Sequence, residues 1–319
     1  MQFRSVADLN RTVLSQLHRL PDDIDVVVGI PRSGMLPATL VSLHLNLPLS
    51  DIDGFLSGKI FRSGDTRRHP RLDVDLSHPR HALVIDDSAL TGASLRSAQN
   101  RIAAAAGSHR VTYCIVYATH EFRQDAIVLE KIRGARVFEW NVLHHSIISK
   151  SCVDIDGVLC HDPTPVQNDD GSAYLEFIGS ARPFQIPTKR IGWLVTNRLE
   201  KYRSATESWL RKVGVQYDHL IMLDLPDAET RRRLGVHALH KGQFYKSCPA
   251  DLFVESELNQ AQEIANISGK PVLSLDGPVM CLPNTMSVRS IREGSKRLAK
   301  RWTPTATKQV IKRLIGIRA

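Results

Sequence analysis

The chain has little of what marks secreted, membrane-spanning or zinc-binding proteins. Its five cysteines are odd in number and form no C-x-x-C pair, which disfavours a disulfide framework and a zinc site. No apolar run approaches about 18 residues, so no segment predicts a transmembrane helix. Residues 1–19 are polar and lack the apolar core of a signal peptide. We therefore expect a cytoplasmic protein with reduced thiols.

The composition is that of a globular protein, but its positive charge is unevenly distributed. With 42% hydrophobic residues in a chain of 319, there is enough apolar content for about two cores. Residues 285–319 hold ten Lys or Arg and one Glu, which accounts for the whole net charge of +9. We therefore predict two domains, residues 1–150 and 151–284, followed by a basic amphipathic tail over residues 285–319.

Two series of short apolar strands alternate with helical segments along the two predicted domains. Residues 24–29 and 81–85 are apolar without alternation, which is typical of strands in a buried parallel sheet. Residues 136–143 are a candidate fourth strand of the first series. The pattern restarts at residues 151–155 and continues to residues 271–275. Strands that alternate with helices predict two doubly wound α/β domains with parallel sheets.

The sequence A-L-V-I-D-D-S-A-L-T-G-A-S at residues 82–94 follows a predicted strand and opens a predicted helix. Its small residues and Gly92 let main-chain amides approach a phosphate, whose charge the helix N-terminus favours. Asp86 and Asp87 would repel phosphate, so they suit sugar hydroxyls or metal-bound water beside it. The plainer alternative is an acidic strand end followed by an ordinary helix cap. The sequence I-P-R-S-G at residues 30–34, also directly after a strand, disfavours that alternative.

Together these two segments resemble the 5-phosphoribosyl-1-pyrophosphate (PRPP) signature and the pyrophosphate loop of type I phosphoribosyltransferases. The resemblance implies that Asp86 and Asp87 bind the ribose hydroxyls and act in catalysis, and that Mg²⁺ bridges pyrophosphate and ribose. Thr91 and Ser94 would donate their hydroxyls to the 5-phosphate. Catalysis would be mostly electrostatic, as pyrophosphate leaves C1. The PRPP-binding residues that the resemblance implies are Arg32, Ser33, Asp86, Asp87, Ala89, Leu90, Thr91, Gly92, Ala93 and Ser94.

Three features of the first half leave alternatives open. Trp140 could either stack on an acceptor or pack in the hydrophobic core. The basic residues between 59 and 68 lie where the family has a loop that closes over PRPP. No segment matches the acceptor-binding part of a purine or orotate enzyme, so the acceptor is not identified.

The sequence V-D-I-D-G-V-L at residues 153–159 follows another apolar strand. A carboxylate at the end of that strand can attack phosphorus, and a second one two residues later can protonate the leaving oxygen. This resembles the first motif of haloacid dehalogenase-like (HAD) phosphatases, with Asp154 as nucleophile and Asp156 as general acid and base. Residues 51–54 repeat D-x-D-G without the later motifs, and we interpret them as a turn.

The later HAD motifs follow in order, so that the resemblance spans residues 151–276. It implies that Thr196 of L-V-T-N-R holds the phosphoryl group and that Lys241, rather than Lys246, neutralises its charge. Mg²⁺ would bind Asp154, the carbonyl of Asp156, and Glu255. Many family members carry two consecutive acids where this chain has Glu255 and then a serine, which puts the ligand set in question.

The basic tail interleaves cations with apolar residues at near-helical spacing. Such a segment can lie on an anionic membrane, where each basic residue contributes about 1 kcal/mol. A helix packed across the body is an equal alternative, and a nucleic-acid surface is disfavoured because no base-reading aromatics accompany the cations. The predicted location is therefore the cytoplasm, with the inner face of the membrane left open.

The pairing of the two predicted activities points to an acceptor other than a base. A transferase that makes a nucleotide would lose its product to an attached 5′-phosphatase. The pair resembles bacterial polysaccharide systems, which implies a bifunctional, Mg²⁺-dependent enzyme that ribosylates a glycan or lipid-linked glycan. Two alternatives stay open: a nucleobase phosphoribosyltransferase fused to a nucleotidase, and a PRPP-sensing regulator. Whether the chain forms a homodimer is also open.

Overall fold

The computed structural model describes residues 1–61, 79–105 and 110–284. The chain forms two compact units, Met1–Val142 and Leu143–Ala319, and their division lies shortly before the predicted junction at residue 150. The basic tail over residues 285–319 and the basic segment beyond residue 61 lie outside the described residues. Among the helices in the described ranges, none combines the length and the apolar character needed to cross a membrane.

The first unit contains a five-stranded parallel sheet and a separate pair of strands. In chain order its elements are β1 (Gln2–Arg4), α1 (Val6–Gln16), β2 (Val26–Gly29), α2 (Met35–Leu45), β3 (Leu49–Asp51), α3 (Ile52–Leu56), β4 (His81–Ala89), α4 (Ala93–Ala104), β5 (Arg110–Thr119), β6 (Ile127–Ile132) and β7 (Arg136–Phe138). The main sheet has the strand order β3-β2-β4-β5-β6, and β1 pairs with β7. All of these pairings are parallel.

Both faces of the main sheet are buried. Successive side chains of a strand point to opposite sides, so each strand contributes to two cores. Val27 of β2 belongs to the core that includes Val41 of α2. Its neighbours Val26 and Val28 belong to the opposite core, which includes Leu95 of α4. Helices thus cover both sides of a parallel sheet, which confirms the predicted α/β architecture for this unit.

Two local predictions in the first unit are wrong. Residues 136–143 do not form the fourth strand of the main sheet, since only Arg136–Phe138 is extended and it pairs with β1. The outer strand is β6, in which a glutamate and a lysine interrupt the apolar run that identified the other strands. The predicted turn at residues 51–54 is the start of α3, because the Asp51 carboxylate accepts from the amide of Gly54 at 2.6 Å.

The second unit also contains one sheet. Its elements are β8 (Ser151–Val153), α5 (Ser172–Ser180), β9 (Ile191–Leu199), α6 (Arg203–Lys212), β10 (Tyr217–Leu223), α7 (Ala228–Leu234), α8 (His237–Ser247), β11 (Leu252–Glu255), α9 (Leu258–Ser268), β12 (Val272–Ser274) and β13 (Val279–Cys281). The strand order is β10-β9-β8-β11-β12-β13, parallel except for β13. Helices α8 and α9 pack on one face, where Tyr245 and Ile264 join Phe253 of β11 in the core. The carboxyl ends of β8, β9 and β11 therefore meet at one edge.

Candidate active sites

The first candidate site lies at the carboxyl ends of β2 and β4. Asp86 and Asp87, near the end of β4, are only 6% and 2% exposed. The amide of Ile30 donates to the carbonyl of Ile85 at 3.0 Å, which holds the loop after β2 against β4. Ser33 in that loop donates its hydroxyl to Oδ1 of Asp87 at 2.8 Å. The structure thus brings together the predicted pyrophosphate loop and the predicted ribose-binding acids.

Gly34 permits this close approach of the loop to β4. A Cβ at that position would fall 2.8 Å from the carbonyl oxygen of Ile85 and 2.9 Å from Oδ1 of Asp86, too near for any side chain. Arg32 is exposed in the same loop and follows a cis peptide bond from Pro31. The one predicted cation of the loop is therefore accessible to a ligand.

The predicted phosphate cradle is the turn from β4 into α4. Gly92 precedes α4 with a φ of 71°, a left-handed conformation that favours glycine, and a Cβ there would overlap the side chain of Gln124. Gln124 donates to the carbonyl of Thr91 at 2.9 Å. No side chain caps the N-terminus of α4, so its amides suit an external anion. The remaining predicted residues of the turn are buried Ala89 and exposed Leu90, Thr91, Ala93 and Ser94.

Trp140 packs against the core, as the second sequence alternative expected, and it also holds Asp87, a role that neither alternative included. Its indole nitrogen donates to Oδ2 of Asp87 at 2.7 Å. Its ring stacks on Phe138 with centroids 4.8 Å apart, and Phe138 stacks on Tyr117. Ser33 and Trp140 therefore donate to the two different oxygens of Asp87 and fix the orientation of that carboxylate.

Asp86 is unlike an ordinary aspartate, because burial and then the neighbouring charge of Asp87 raise its pKa to about 8. Its Oδ1 accepts from the main-chain amide of Asp87 at 2.9 Å. At neutral pH the side chain is therefore mostly protonated and can donate a hydrogen bond as well as accept one. Such a pair can satisfy both the donor and the acceptor of a sugar hydroxyl.

The raised pKa of Asp86 predicts a pH-dependent stability. Between about pH 4 and pH 8 the folded chain keeps a proton that the unfolded chain releases, so the free energy of unfolding falls as the pH rises. The slope is at most about 1.4 kcal/mol per pH unit. The isosteric Asp86→Asn change removes this titration, so the variant should gain melting temperature over the parent protein at pH 8 but not at pH 4. Thermal unfolding at pH 4, 6 and 8 checks this, and an equal difference at all three values would contradict it.

The contact of Trp140 with Asp87 predicts weaker PRPP binding in Trp140→Phe. The phenyl ring keeps the stacking surface but loses the N–H donor. A hydrogen bond to a charged group contributes about 1.5–3 kcal/mol, which corresponds to a roughly 10- to 150-fold rise in the PRPP dissociation constant. Titration calorimetry measures this constant. Trp193→Phe in the second unit, where the ring stacks on His219, is the matched control and should leave it unchanged.

The second candidate site lies where β8, β9 and β11 end. Asp154 directly follows β8, and its amide donates to the carbonyl of Val254 at 3.0 Å. The ammonium of Lys241, on α8 and 1% exposed, donates to Oδ2 of Asp154 at 2.6 Å and to Oε2 of Glu255 at 2.8 Å. Lys246 is exposed. One buried lysine therefore bridges the predicted nucleophile and the predicted final acid.

The charges of this cluster depend on one another. Burial raises the pKa of Asp154, an effect that Lys241 opposes and that Glu255 and Asp156 reinforce. Burial would lower the pKa of Lys241, but the charges of Asp154 and Glu255 outweigh it and raise that pKa. The site thus contains more negative charge than Lys241 alone neutralises.

Asp156 has a partner that the sequence analysis missed. Arg198 donates through Nε to both carboxylate oxygens, at 3.2 and 3.1 Å, and through Nη2 to Oδ1 at 2.6 Å. Burial would raise the pKa of Asp156, but the charge of Arg198 outweighs it and lowers that pKa. The pair favours the ionised carboxylate, which suits a general base, while proton donation requires Arg198 to release its contact. Arg198 belongs to the L-V-T-N-R segment, but its sequence position did not reveal its partner.

The predicted magnesium ligands are few, but their chemistry fits the ion. Within the described ranges, no group of three or more His, Cys, Asp or Glu side chains is arranged to hold a metal. The predicted set needs only two carboxylates, Asp154 and Glu255, and a main-chain carbonyl, all of them the oxygen ligands that Mg²⁺ prefers. Glu255 Oε1 already accepts from the amide and hydroxyl of Ser256, at 3.0 and 3.2 Å. The excess negative charge around Asp154 is what a divalent cation would offset.

A cavity of about 330 Å³ opens onto this cluster. It reaches the predicted residues Asp154, Asp156, Thr196, Lys241 and Glu255, so the structure brings all of them to one opening. Further residues that the sequence analysis did not select also line it, among them Asp162, Tyr174, Arg231 and His237. Because they come from distant segments, only the fold shows that they share a site.

Comparisons with known proteins found a family match within the first of the two units. The phosphoribosyl transferase domain family matches residues 2–142. Solved structures that are similar include a purine phosphoribosyltransferase from Pyrococcus horikoshii, with 17% identity, a TM-score of 0.31 and coverage of 44% of this chain and 92% of that chain. Another is the Helicobacter pylori xanthine-guanine-hypoxanthine phosphoribosyltransferase, with 17% identity, a TM-score of 0.33 and coverage of 44% and 93%. No curated protein matches the chain.

The match ends at residue 142, where the first unit ends. It supports phosphoribosyl transfer from PRPP in general terms and does not support the predicted phosphatase. Residues 2–142 of this chain are therefore similar to a phosphoribosyl transferase domain.

Proposed function

We propose that the chain transfers 5-phosphoribosyl from PRPP to an acceptor and then hydrolyses the 5-phosphate, which leaves a ribofuranosyl group. The first activity is supported by the domain match and by the acids beside the uncapped N-terminus of α4. The observation that carries the second is the Lys241 bridge between Asp154 and Glu255, beside Asp156 in an open cavity.

In the first step the site would hold PRPP while the bond between C1 and pyrophosphate breaks. Asp86 and Asp87 would bind the ribose hydroxyls, and the turn into α4 would hold the 5-phosphate. Arg32 and Ser33 would hold the pyrophosphate as its negative charge develops. Stabilisation of that charge is the main contribution such a site makes to the rate.

In the second step a carboxylate oxygen of Asp154 would attack phosphorus, and the bond to the sugar oxygen would break. Asp156, once Arg198 releases it and it takes up a proton, would supply that proton to the sugar oxygen. It would then take one from the water that cleaves the aspartyl phosphate. Thr196 would hold the phosphoryl group, and Lys241 would offset its charge. Mg²⁺, held by Asp154, Glu255 and the Asp156 carbonyl, would neutralise negative charge on the phosphoryl group.

We propose a glycan or lipid-linked glycan as the acceptor. A phosphatase in the same chain removes the phosphate from what the transferase makes, which serves a product that must carry a bare ribosyl group. Trp140 donates its N–H to Asp87 and stacks on Phe138 with one face of its ring. These contacts account for the tryptophan without a nucleobase acceptor.

The purified full-length chain with PRPP and Mg²⁺, supplied in turn with oligosaccharides and with nucleobases, tests this function. We expect pyrophosphate and phosphate release with a saccharide, in equal amounts, and a ribosylated product by mass spectrometry. Turnover with free bases alone would instead favour a nucleobase phosphoribosyltransferase. PRPP binding without turnover of any acceptor would favour a PRPP-sensing regulator.

A further inference from the structure

In the cavity of the second candidate site, the cations of the sequence motifs are already paired with carboxylates. Lys241 donates to two carboxylates, Asp154 and Glu255. Arg198 donates to both oxygens of Asp156. A phosphate monoester is itself an anion, and it would enter a cavity whose lysine already donates to two carboxylates. A further cation in the cavity wall would therefore favour its binding, in addition to the charge that Mg²⁺ would supply.

Arg231 is a cation in this wall without a carboxylate partner among the described contacts. It lies on α7, is only 7% exposed, and lines the same cavity as Asp154. Its Nη1 donates to the main-chain carbonyl of Asn197 at 2.8 Å, which ties the guanidinium to the residue after Thr196. Its Nε is buried without a hydrogen-bond partner. A buried N–H without an acceptor is costly, and a bound ligand is one way in which proteins supply that acceptor.

The charge of Arg231 acts on other groups of the cavity wall. Burial, and after it the charges of Arg231 and Lys241, lowers the pKa of His237. Burial raises the pKa of Tyr174, and Arg231 is among the groups that oppose this rise. Both residues line the cavity. The positive field of the guanidinium is therefore present where a substrate would enter.

We propose that Arg231 is a substrate-binding residue of the second site that holds the phosphate of the ester cleaved at Asp154. This inference rests on the proposed phosphatase function. The guanidinium is planar and presents several N–H donors in a fixed fork, which matches the oxygens of a phosphate. Its anchor at Asn197 places this fork beside Thr196. Arg231 should bind the product, inorganic phosphate, as well as the substrate.

The matched variants are Arg231→Gln, Arg232→Gln and Arg233→Gln. All three arginines are consecutive on α7, but the last two are exposed. With ribose 5-phosphate as substrate, Arg231→Gln should raise KM and the inhibition constant of inorganic phosphate, each by about 10- to 100-fold. Arg232→Gln and Arg233→Gln should leave both constants unchanged. Inorganic phosphate should raise the melting temperature of the parent protein but not that of Arg231→Gln.

The outcomes separate this inference from the proposed function. Hydrolysis by the parent protein, with KM and phosphate inhibition unaltered in Arg231→Gln, would overturn the inference alone. Absence of hydrolysis, with phosphate protection that Arg231→Gln abolishes, would overturn the phosphatase but support the binding role. If Arg231→Gln does not fold, Arg231→Lys takes its place, because it keeps a charge but loses the fork. A phosphate inhibition constant within about twofold of the parent value would then overturn the inference.

Discussion

Asp154→Asn should abolish phosphate release while pyrophosphate release continues, so that a phosphorylated product accumulates. The amide is nearly isosteric with the carboxylate but cannot attack phosphorus, and loss of a nucleophile reduces turnover by at least about 10³-fold. Lys241 keeps its contact with Glu255 in the variant, so the helix that carries the lysine retains one of its two anchors at the site.

Phosphate and pyrophosphate, measured separately in the same reaction, check this expectation. Asp162→Asn is the matched control, because this acid lines the same cavity but has no proposed role in the reaction. It should change the phosphatase rate by no more than a few-fold. Unaltered phosphate release in Asp154→Asn would show that the aspartate is not the nucleophile.

Asp87→Asn should have the reverse effect, with loss of pyrophosphate release and normal hydrolysis of a phosphoribosyl product made beforehand. Trp140 and Ser33 donate to the two oxygens of Asp87. An amide has one oxygen and one N–H₂ group, so at most one of these two donations can remain. The lost charge and the lost orientation together should reduce the transferase rate by about 10²- to 10³-fold.

The control for this variant is Asp125→Asn, which changes an exposed acid of the same unit. It should leave both releases unchanged. If Asp87→Asn or Asp154→Asn eliminates both activities in a protein that melts like the parent, the assignment of each activity to its own unit is wrong.

The places where chemistry could occur were predictable from the sequence, because they lie at strand ends. Parallel strands end at a common edge, and the acids near the end of β4 and directly after β8 lie at such edges. At the first of these edges the structure brings Ser33 into contact with Asp87. Lys241 was selected over Lys246 because members of the HAD family have an aromatic pair a few residues after this lysine, and the structure places Lys241 against Asp154.

The partners of individual side chains were not predictable, because tertiary packing chooses them. The hydrogen bond from Trp140 to Asp87 joins residues 53 positions apart, and its indole has no feature that distinguishes it from a core tryptophan. Arg198 bonds to Asp156 over a separation of 42 positions. In R-R-R at residues 231–233 only the fold shows which arginine faces the cavity. Strand β6 was missed because its charged residues interrupt the apolar pattern.

Mass spectrometry of the saccharide product, made from PRPP by the parent protein and by Asp154→Asn, tests the central claim most directly. We expect a ribosylated saccharide from the parent and a phosphoribosylated one from the variant, with the two products differing by one phosphate group. The same product from both proteins, or a saccharide that stays unmodified while PRPP is consumed, would contradict the account of two successive reactions in one chain.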